Sequence, residues 1–371
     1  MLRGSAETEA KLRFQQASGP IMAKGVEDTA FYTYQRFIAC NEVGGDPDRF
    51  GVSVDSFHAY NAHKQLEWPV AMLATSTHDT KRSEDVRARL AVLSEMPDAW
   101  TRAVQRWSEM SQTYRKPSVD RSIEYHIYQN LVGAWPIDAE RLQRYLEKAM
   151  REAKVFSSWT RVDEAYESAV QDFGKGLLTD QRFTADLSAF VDSINRAGEE
   201  NALAQKLLAL TSPGVPDIYQ GTETYDYSLT DPDNRRPVDH AAHAALLDEA
   251  AKADRKTILN RWNSGLPKLW LVVQALRTRQ EFPECFDDRA TYEPLPSHGE
   301  RLITFVRGSK ASKKRVLVIA TRLRRSGVTD TVVALPEGEW RDALGQRAKV
   351  QGTVKLDGLC AGLPVALLTS S

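Results

Sequence analysis

Three short apolar runs, each followed at once by a polar cluster and then by helical sequence, constrain this chain more than any other feature. They are Ile21-Met22-Ala23 before Lys24-Gly25, Trp68 to Thr75 before Ser76-Thr77-His78-Asp79, and Asp217-Ile218-Tyr219 before Gln220-Gly221. A buried run that exits into a polar loop and then a helix is the pattern of a parallel βα unit. Functional groups gather at the carboxyl ends of parallel strands, so these polar clusters are where chemistry is expected. A closed (β/α)8 barrel needs more strands than are visible, and the pattern predicts only part of one.

The remaining segments divide by period and punctuation. Residues 6 to 17 predict a helix that stops at Ser18-Gly19-Pro20, and the aromatic-rich stretch from Thr29 to Ala39 predicts another, ended by Gly44-Gly45-Asp46-Pro47. From Ser83 to about Phe190 the apolar spacing is almost entirely helical, and further helices are expected over Asn201 to Leu210 and Lys268 to Arg279. Beyond about Phe286 the character changes to short β-rich runs, Leu302 to Val306, Arg315 to Ala320, Thr331 to Leu335 and Pro364 to Leu368, which predict a small antiparallel sandwich.

Composition excludes several classes of function. The 49 basic and 50 acidic side chains nearly cancel, so a nucleic-acid binder is not expected. No segment has the apolar length needed to span a bilayer, and no membrane role is expected. Cys40, Cys285 and Cys360 are odd in number and far apart, which argues against a disulfide framework or a zinc site and for a reducing, cytoplasmic setting. The opening residues lack the apolar core of a signal peptide and read as an amphipathic helix already under way, which suggests a chain continued from something longer. His58/His63 and His240/His243 have spacings that reach a metal, yet no flanking Cys, Glu or HExxH context accompanies them, so no metal is expected.

The densest candidate chemistry lies in the run THDTKRSEDVRAR at 77–89. It reads as a strand end presenting His78 and Asp79, followed by a helix whose first turn carries Ser83, Glu84 and Asp85 near its positive end. The pair reads equally well as a capping doublet in a solvated loop. Four further stretches accompany it: GPIMAKGVEDTAFY at 19–32, NEVGGDP at 41–47, YQNLVGAWP at 128–136, and PGVPDIYQGTE with DPDNRRPVD at 213–239. Together and in this order they resemble the maltooligosyl trehalose synthases, a branch of the α-amylase superfamily, over a span from about Ala17 to the C-terminus.

That resemblance implies an α/β fold: the C-terminal part of a (β/α)8 TIM barrel with a helical insertion, followed by a small all-β sandwich domain. The implied divisions are residues 1–95 (barrel strands six and seven), 96–190 (helical insertion), 191–285 (strand eight and the last barrel helices) and 286–371 (sandwich). It implies intramolecular transglucosylation of a malto-oligosaccharide, converting the reducing-end α-1,4 linkage into an α,α-1,1 linkage, with no cofactor. Asp79 would be the catalytic carboxylate that orients the sugar ring, assisted by His78. Retaining chemistry needs two more carboxylates about 5 Å apart. The resemblance places these before this segment, so the chain is expected to be inactive alone and to need the missing N-terminal half, supplied in trans as a partner.

Other groups carry weaker expectations. Lys24, Glu27 and Asp28 either hydrogen-bond glucose units or form a surface salt-bridge cluster. Lys81 and Arg82 either bind sugar or buttress Asp79. Tyr219, Gln220, Asp233 and Arg235 suit a polyhydroxylated ligand, although Arg-Asp pairs equally pin loops together. Phe31, Tyr32 and Tyr34 could stack on a sugar face, although such a stripe is more often core. The rival functions are an α-glucan hydrolase and a non-catalytic glucan-binding or split-enzyme subunit.

Overall fold

In the computed structural model, which describes residues 5–296, 299–326, 331–345 and 349–370, the chain opens with an exposed helix α1 (Ser5–Met22). Wider helical turns over Ala23–Ala30 follow it. Pro20 sits inside α1, so Ser18-Gly19-Pro20 does not stop the helix, and Ile21-Met22-Ala23 is helical where a strand was expected. The physical reason is pairing. A strand needs a neighbouring ladder for its backbone groups, whereas a helix satisfies them internally. The aromatic helix is also shorter than its composition suggests: α2 covers only Phe31–Thr33, and Tyr34 is already extended.

After α3 (Val54–Glu67), the strand β1 (Met72–Ala74) leads into α4 (Glu84–Ala91). Helices α5 (Pro97–Met110), α6 (Arg121–Ala134), α7 (Ala139–Ala153), α8 (Glu164–Thr179) and α9 (Gln181–Thr211) follow. Their starts are legible. Ser83, Asp120, Asp138, Asp163 and Asp180 each accept a backbone N–H at an N-cap, an arrangement that contributes about 1 kcal/mol apiece. Trp107, Tyr128, Phe173 and Phe183 close their shared core.

Strand β2 (Val215–Asp217) begins and ends two residues before the expected run and pairs in parallel with β1, Met72 opposite Val215 and Ala74 opposite Asp217. Gly214 makes this approach possible. Its φ is +128°, and a Cβ there would lie 2.7 Å from the Ala71 carbonyl oxygen. Helices α10 (His240–Lys252), α11 (Arg255–Asn260) and α12 (Leu266–Glu281) complete the helical part. No helix of the described residues is long and apolar enough to cross a membrane.

The tail forms β3 (Ala290–Pro294), β4 (Leu302–Ser309), β5 (Arg315–Thr321), β6 (Val332–Ala334), β7 (Trp340–Asp342), β8 (Lys349–Val350), β9 (Thr353–Lys355), the short helix α13 (Leu356–Cys360) and β10 (Val365–Ser370). The main sheet is antiparallel throughout, in the order β3-β4-β5-β10-β7-β8, with β6 and β9 paired separately. Alternation assigns its faces. Phe305, Val316, Val318 and Leu367 join residues of α9 and α12, while Val306, Leu317, Ile319 and Leu368 pack with Val333, Trp340 and Leu356.

Between β1, α4, α9 and α12 lies a fully buried charge cluster. Lys268 Nζ is 2.6 Å from Asp85 Oδ2 and 2.7 Å from Glu84 Oε1, which also receives Lys206 Nζ at 2.6 Å. Burial opposes the charge on Glu84, but the two ammonium groups prevail and hold its carboxyl down at about 2. Asp85 also accepts the Asp226 backbone N–H at 2.7 Å, and Lys268 donates to the Thr224 carbonyl at 3.1 Å, so the loop after β2 is fastened to the start of α4.

Removing one member of such a cluster leaves an uncompensated buried charge. Lys268→Met is therefore expected to lower the unfolding free energy by roughly 3–5 kcal/mol, read as a fall in urea midpoint. A loss under about 1 kcal/mol, the size of an exposed pair, would contradict this account.

Candidate functional site

The loop from Thr75 to Ser83 is wound tightly on itself. Thr80 Oγ1 donates to the Thr77 carbonyl at 2.8 Å, and the Asp79 backbone N–H donates to Thr77 Oγ1 at 3.1 Å. Its flanks are tied down: the Ser83 N–H donates to the Ser228 carbonyl at 2.9 Å, the Glu84 N–H to Ser76 Oγ at 2.9 Å, and the Arg87 guanidinium to the Thr75 carbonyl. The turn thus leaves His78 and Asp79 facing outward, with 53% of the Asp79 side chain exposed.

Beside them Lys81 points inward. Its side chain is 2% exposed, with Nζ 2.8 Å from Asp28 Oδ1 and 3.6 Å from Asp79 Oδ1. Lys24 pairs with the other Asp28 oxygen from the solvent side. Burial works against the Asp28 charge, yet hydrogen bonds from Lys24 and Lys81 outweigh it and hold this carboxyl below its usual range. The same contact, first through its hydrogen bond and then through charge, raises the Lys24 ammonium. One chain of charge therefore runs Lys24–Asp28–Lys81–Asp79.

Glu42 sets the backbone under this chain. Its buried carboxylate accepts the Lys81 N–H at 2.7 Å and the Arg82 N–H at 3.2 Å, while Arg87 Nε lies 3.5 Å away. Glu27 supports the same turn at one remove by accepting the Gly44 N–H at 3.1 Å. From the other side Asn234 Nδ2 donates to the carbonyls of Thr77 and His78 at 3.2 and 3.0 Å, and the Asn234 carbonyl accepts the Tyr219 hydroxyl at 3.1 Å. The loops after β1 and β2 are joined through that asparagine.

The expected residues thus separate into two groups. Lys24, Glu27, Asp28, His78, Asp79 and Lys81 come together, with Tyr219 linked through Asn234. Gln220 is exposed. Arg82 is turned away: it is 1% exposed and donates to Asn130 Oδ1, the Ile38 carbonyl and the Tyr145 hydroxyl, which fixes the helical core. Asp233 accepts Arg141 in a two-pronged pair at 2.8 and 2.9 Å and the Leu229 N–H at 2.8 Å, while Arg235 pairs with Asp231. These are loop-pinning contacts. Phe31 and Tyr32 are buried core side chains, so they offer no stacking face.

Glu42 and Asn234 were missed as positioning residues because nothing in their local pattern marks them. Only the Gly-Gly turn after Glu42 and the proline before Asp233 hint that these segments return to the loop. Among the described residues no group of three or more His, Cys, Asp or Glu side chains is placed to hold a metal ion. His58 Nδ1 instead meets the Tyr292 hydroxyl at 2.7 Å. None of the cavities described is lined by His78 or Asp79, and both side chains stand exposed at the rim of the loop. Chemically, the rim presents a carboxylate acceptor, an imidazole and a buried ammonium on a rigid backbone.

No family model matches the chain. A curated putative maltooligosyl trehalose synthase of Mycobacterium tuberculosis is 39% identical over 97% of it. The chain spans 45% of that relative's length. Among solved structures, the maltooligosyltrehalose synthase of Arthrobacter ramosus is 40% identical over 99% of the chain and 47% of its own, with a TM-score of 0.86. A hypothetical maltooligosyl trehalose synthase of Sulfolobus tokodaii is 34% identical over 99% and 47%, with a TM-score of 0.83.

If Glu42 holds the loop as its geometry implies, Glu42→Gln removes charge-assisted bonds that contribute about 1.5–3 kcal/mol each. Amide exchange at Lys81 and Arg82 is then expected to quicken by about tenfold or more. Unchanged protection at both amides would show that the loop is held by other contacts.

Proposed function

We propose, from the premise that this chain is homologous to the C-terminal half of maltooligosyl trehalose synthases, that it supplies the sugar-orienting side of a site that rearranges the reducing end of a malto-oligosaccharide. The α-1,4 linkage there becomes an α,α-1,1 linkage. On this proposal β1 and β2 are neighbouring strands of a (β/α)8 barrel. Its other strands and the two reacting carboxylates belong to the part of the relatives that this chain does not match. The chain alone is then inactive.

The observation that supports the proposal is the half-exposed Asp79 carboxylate on a loop pinned by Glu42 and Asn234, with Lys81 alongside. An oxocarbenium-like transition state gathers positive charge at the anomeric carbon. A fixed carboxylate that accepts sugar hydroxyls tightens its hold as that charge develops. Asp28 keeps Lys81 from collapsing fully onto Asp79, which leaves the Asp79 oxygens available to a sugar. His78, outward beside it, is placed to meet an adjacent hydroxyl. Because the rim is exposed, a second surface must cover it to exclude water, and rearrangement without hydrolysis requires that exclusion.

Mixing or fusing this chain with the N-terminal half of the Arthrobacter ramosus enzyme and following maltopentaose tests the proposal. Reducing ends are expected to disappear, and Asp79→Asn to lower kcat by about 100- to 1,000-fold, the cost of losing one preorganised electrostatic contact. A rise in reducing ends would instead favour the hydrolase. A fully active Asp79→Asn protein would reject the assigned role.

A further inference from the structure

A cavity that shares no residue with the Asp79 rim lies between α4, α9, α10 and the loop after β2. It has a volume of about 550 Å3 and is lined among others by Arg89, Asn195, Glu199, Tyr225, Tyr227 and His243. Ligand sites commonly fall in this size range. What sets it apart is unused polar capacity. Glu199 is 3% exposed, and its Oε1 accepts Asn195 Nδ2 at 2.9 Å, while its Oε2 makes no hydrogen bond of normal geometry and has only the Trp262 indole N–H, itself unpartnered, in weak contact. The Tyr225 hydroxyl is buried and unpartnered. Buried polar atoms are almost always satisfied, so the Tyr225 hydroxyl, together with the weakly held Glu199 Oε2, leaves hydrogen-bonding capacity for a partner in the cavity.

The charges around the cavity narrow the class of that partner. Arg89 spends both terminal nitrogens on the carbonyls of Gly133 and Trp135 and on Asn195 Oδ1 while stacking over the Tyr227 ring at 3.7 Å, and its Nε alone lacks a partner. Lys268 is held by Glu84 and Asp85. A single guanidinium N–H is a poor seat for an anion, His243 lies beside Glu223, and an anion would also meet the Glu199 carboxyl. A cation would face Arg89 in turn. Burial raises the Glu199 carboxyl to about 7, so near neutrality it can donate as well as accept, and the Tyr225 hydroxyl can do both. Two dual-role groups beside aromatic side chains suit an uncharged ring bearing neighbouring hydroxyls.

We propose that this cavity binds an uncharged pyranose sugar, with Glu199 and Tyr225 taking its hydroxyls, at a site separate from the Asp79 rim. That the sugar is a glucosyl unit rests on the proposed function; that it is a neutral polyhydroxylated ring does not. The unit is carried either by a free disaccharide or by a longer glucan.

Calorimetric titration of the chain with trehalose, maltose and maltopentaose tests the site. Saturable binding is expected for at least one sugar, with Kd of about 1 mM. Trehalose or maltose binding alone would identify a free disaccharide as the source, and maltopentaose alone a longer glucan. Tyr225→Phe, which deletes the hydroxyl, should weaken it by about fivefold or more, and Glu199→Gln, which fixes donor and acceptor where the carboxyl can exchange them, should weaken it as well. Ala242→Phe, a change at an exposed position of the cavity wall, should abolish it even if the other variants fold poorly. Asp79→Asn should leave it unchanged. Absence of saturable binding would overturn the inference. So would binding that Ala242→Phe, Tyr225→Phe and Glu199→Gln leave intact but Asp79→Asn destroys, a result that would nevertheless support the proposed role of Asp79. Equal loss in all variants with thermal midpoints retained would also overturn a separate site.

Discussion

The buried cluster of Glu84, Asp85, Lys206 and Lys268 is the interaction on which the arrangement of the site depends. It joins the first turn of α4 to α9 and α12, and through Asp226 and Thr224 it holds the loop after β2. Ser83 and Glu84 follow the His78-Asp79 turn by only a few residues, so fixing them fixes where that turn emerges. The two carboxylates and two ammonium groups balance one another, which is the condition under which charges can remain in a dry interior. An apolar replacement could fill the same volume, but it would not specify which backbone amides and carbonyls must approach it.

Much of this fold is readable in the sequence where the signal is local. Capping aspartates precede helices α6 to α11, and the alternation of Leu302 to Val306 and Arg315 to Ala320 marks strands β4 and β5. Failure came at Ile21-Met22-Ala23 and at Thr29 to Ala39, where composition suggests an element but the deciding factor is a partner distant in sequence. A three-residue apolar run becomes a strand only if another strand lies beside it. Met72–Ala74 has β2 as that neighbour, and Ile21-Met22-Ala23 has none among the described residues and continues a helix.

The site shows the same division. The motif at 77–89 nominates His78, Asp79, Lys81 and Arg82 alike, and it cannot distinguish Lys81, aimed at Asp28 and Asp79, from Arg82, aimed into the helical core. Adjacent residues in a tight turn face opposite ways, and which faces which depends on Glu42, some forty positions away in the chain. Asp233 and Arg235 were natural candidates as charged residues, yet the uncharged Asn234 between them reaches the His78 loop. Hydrogen-bond geometry at carbonyls favours an amide there, because a carboxylate could not donate.

Helix α9 carries a mechanical consequence. Its first half contributes Phe183, Leu187, Val191 and Ile194 to the core of the helical region, and its second half contributes Leu203, Leu207 and Leu210 to the core that faces the sheet. At 31 residues it is a rod of about 46 Å shared by both. Fraying at either end must release side chains from one core while the other still grips the same rod. The two cores are therefore expected to melt together, and a nick introduced in α9 would uncouple them.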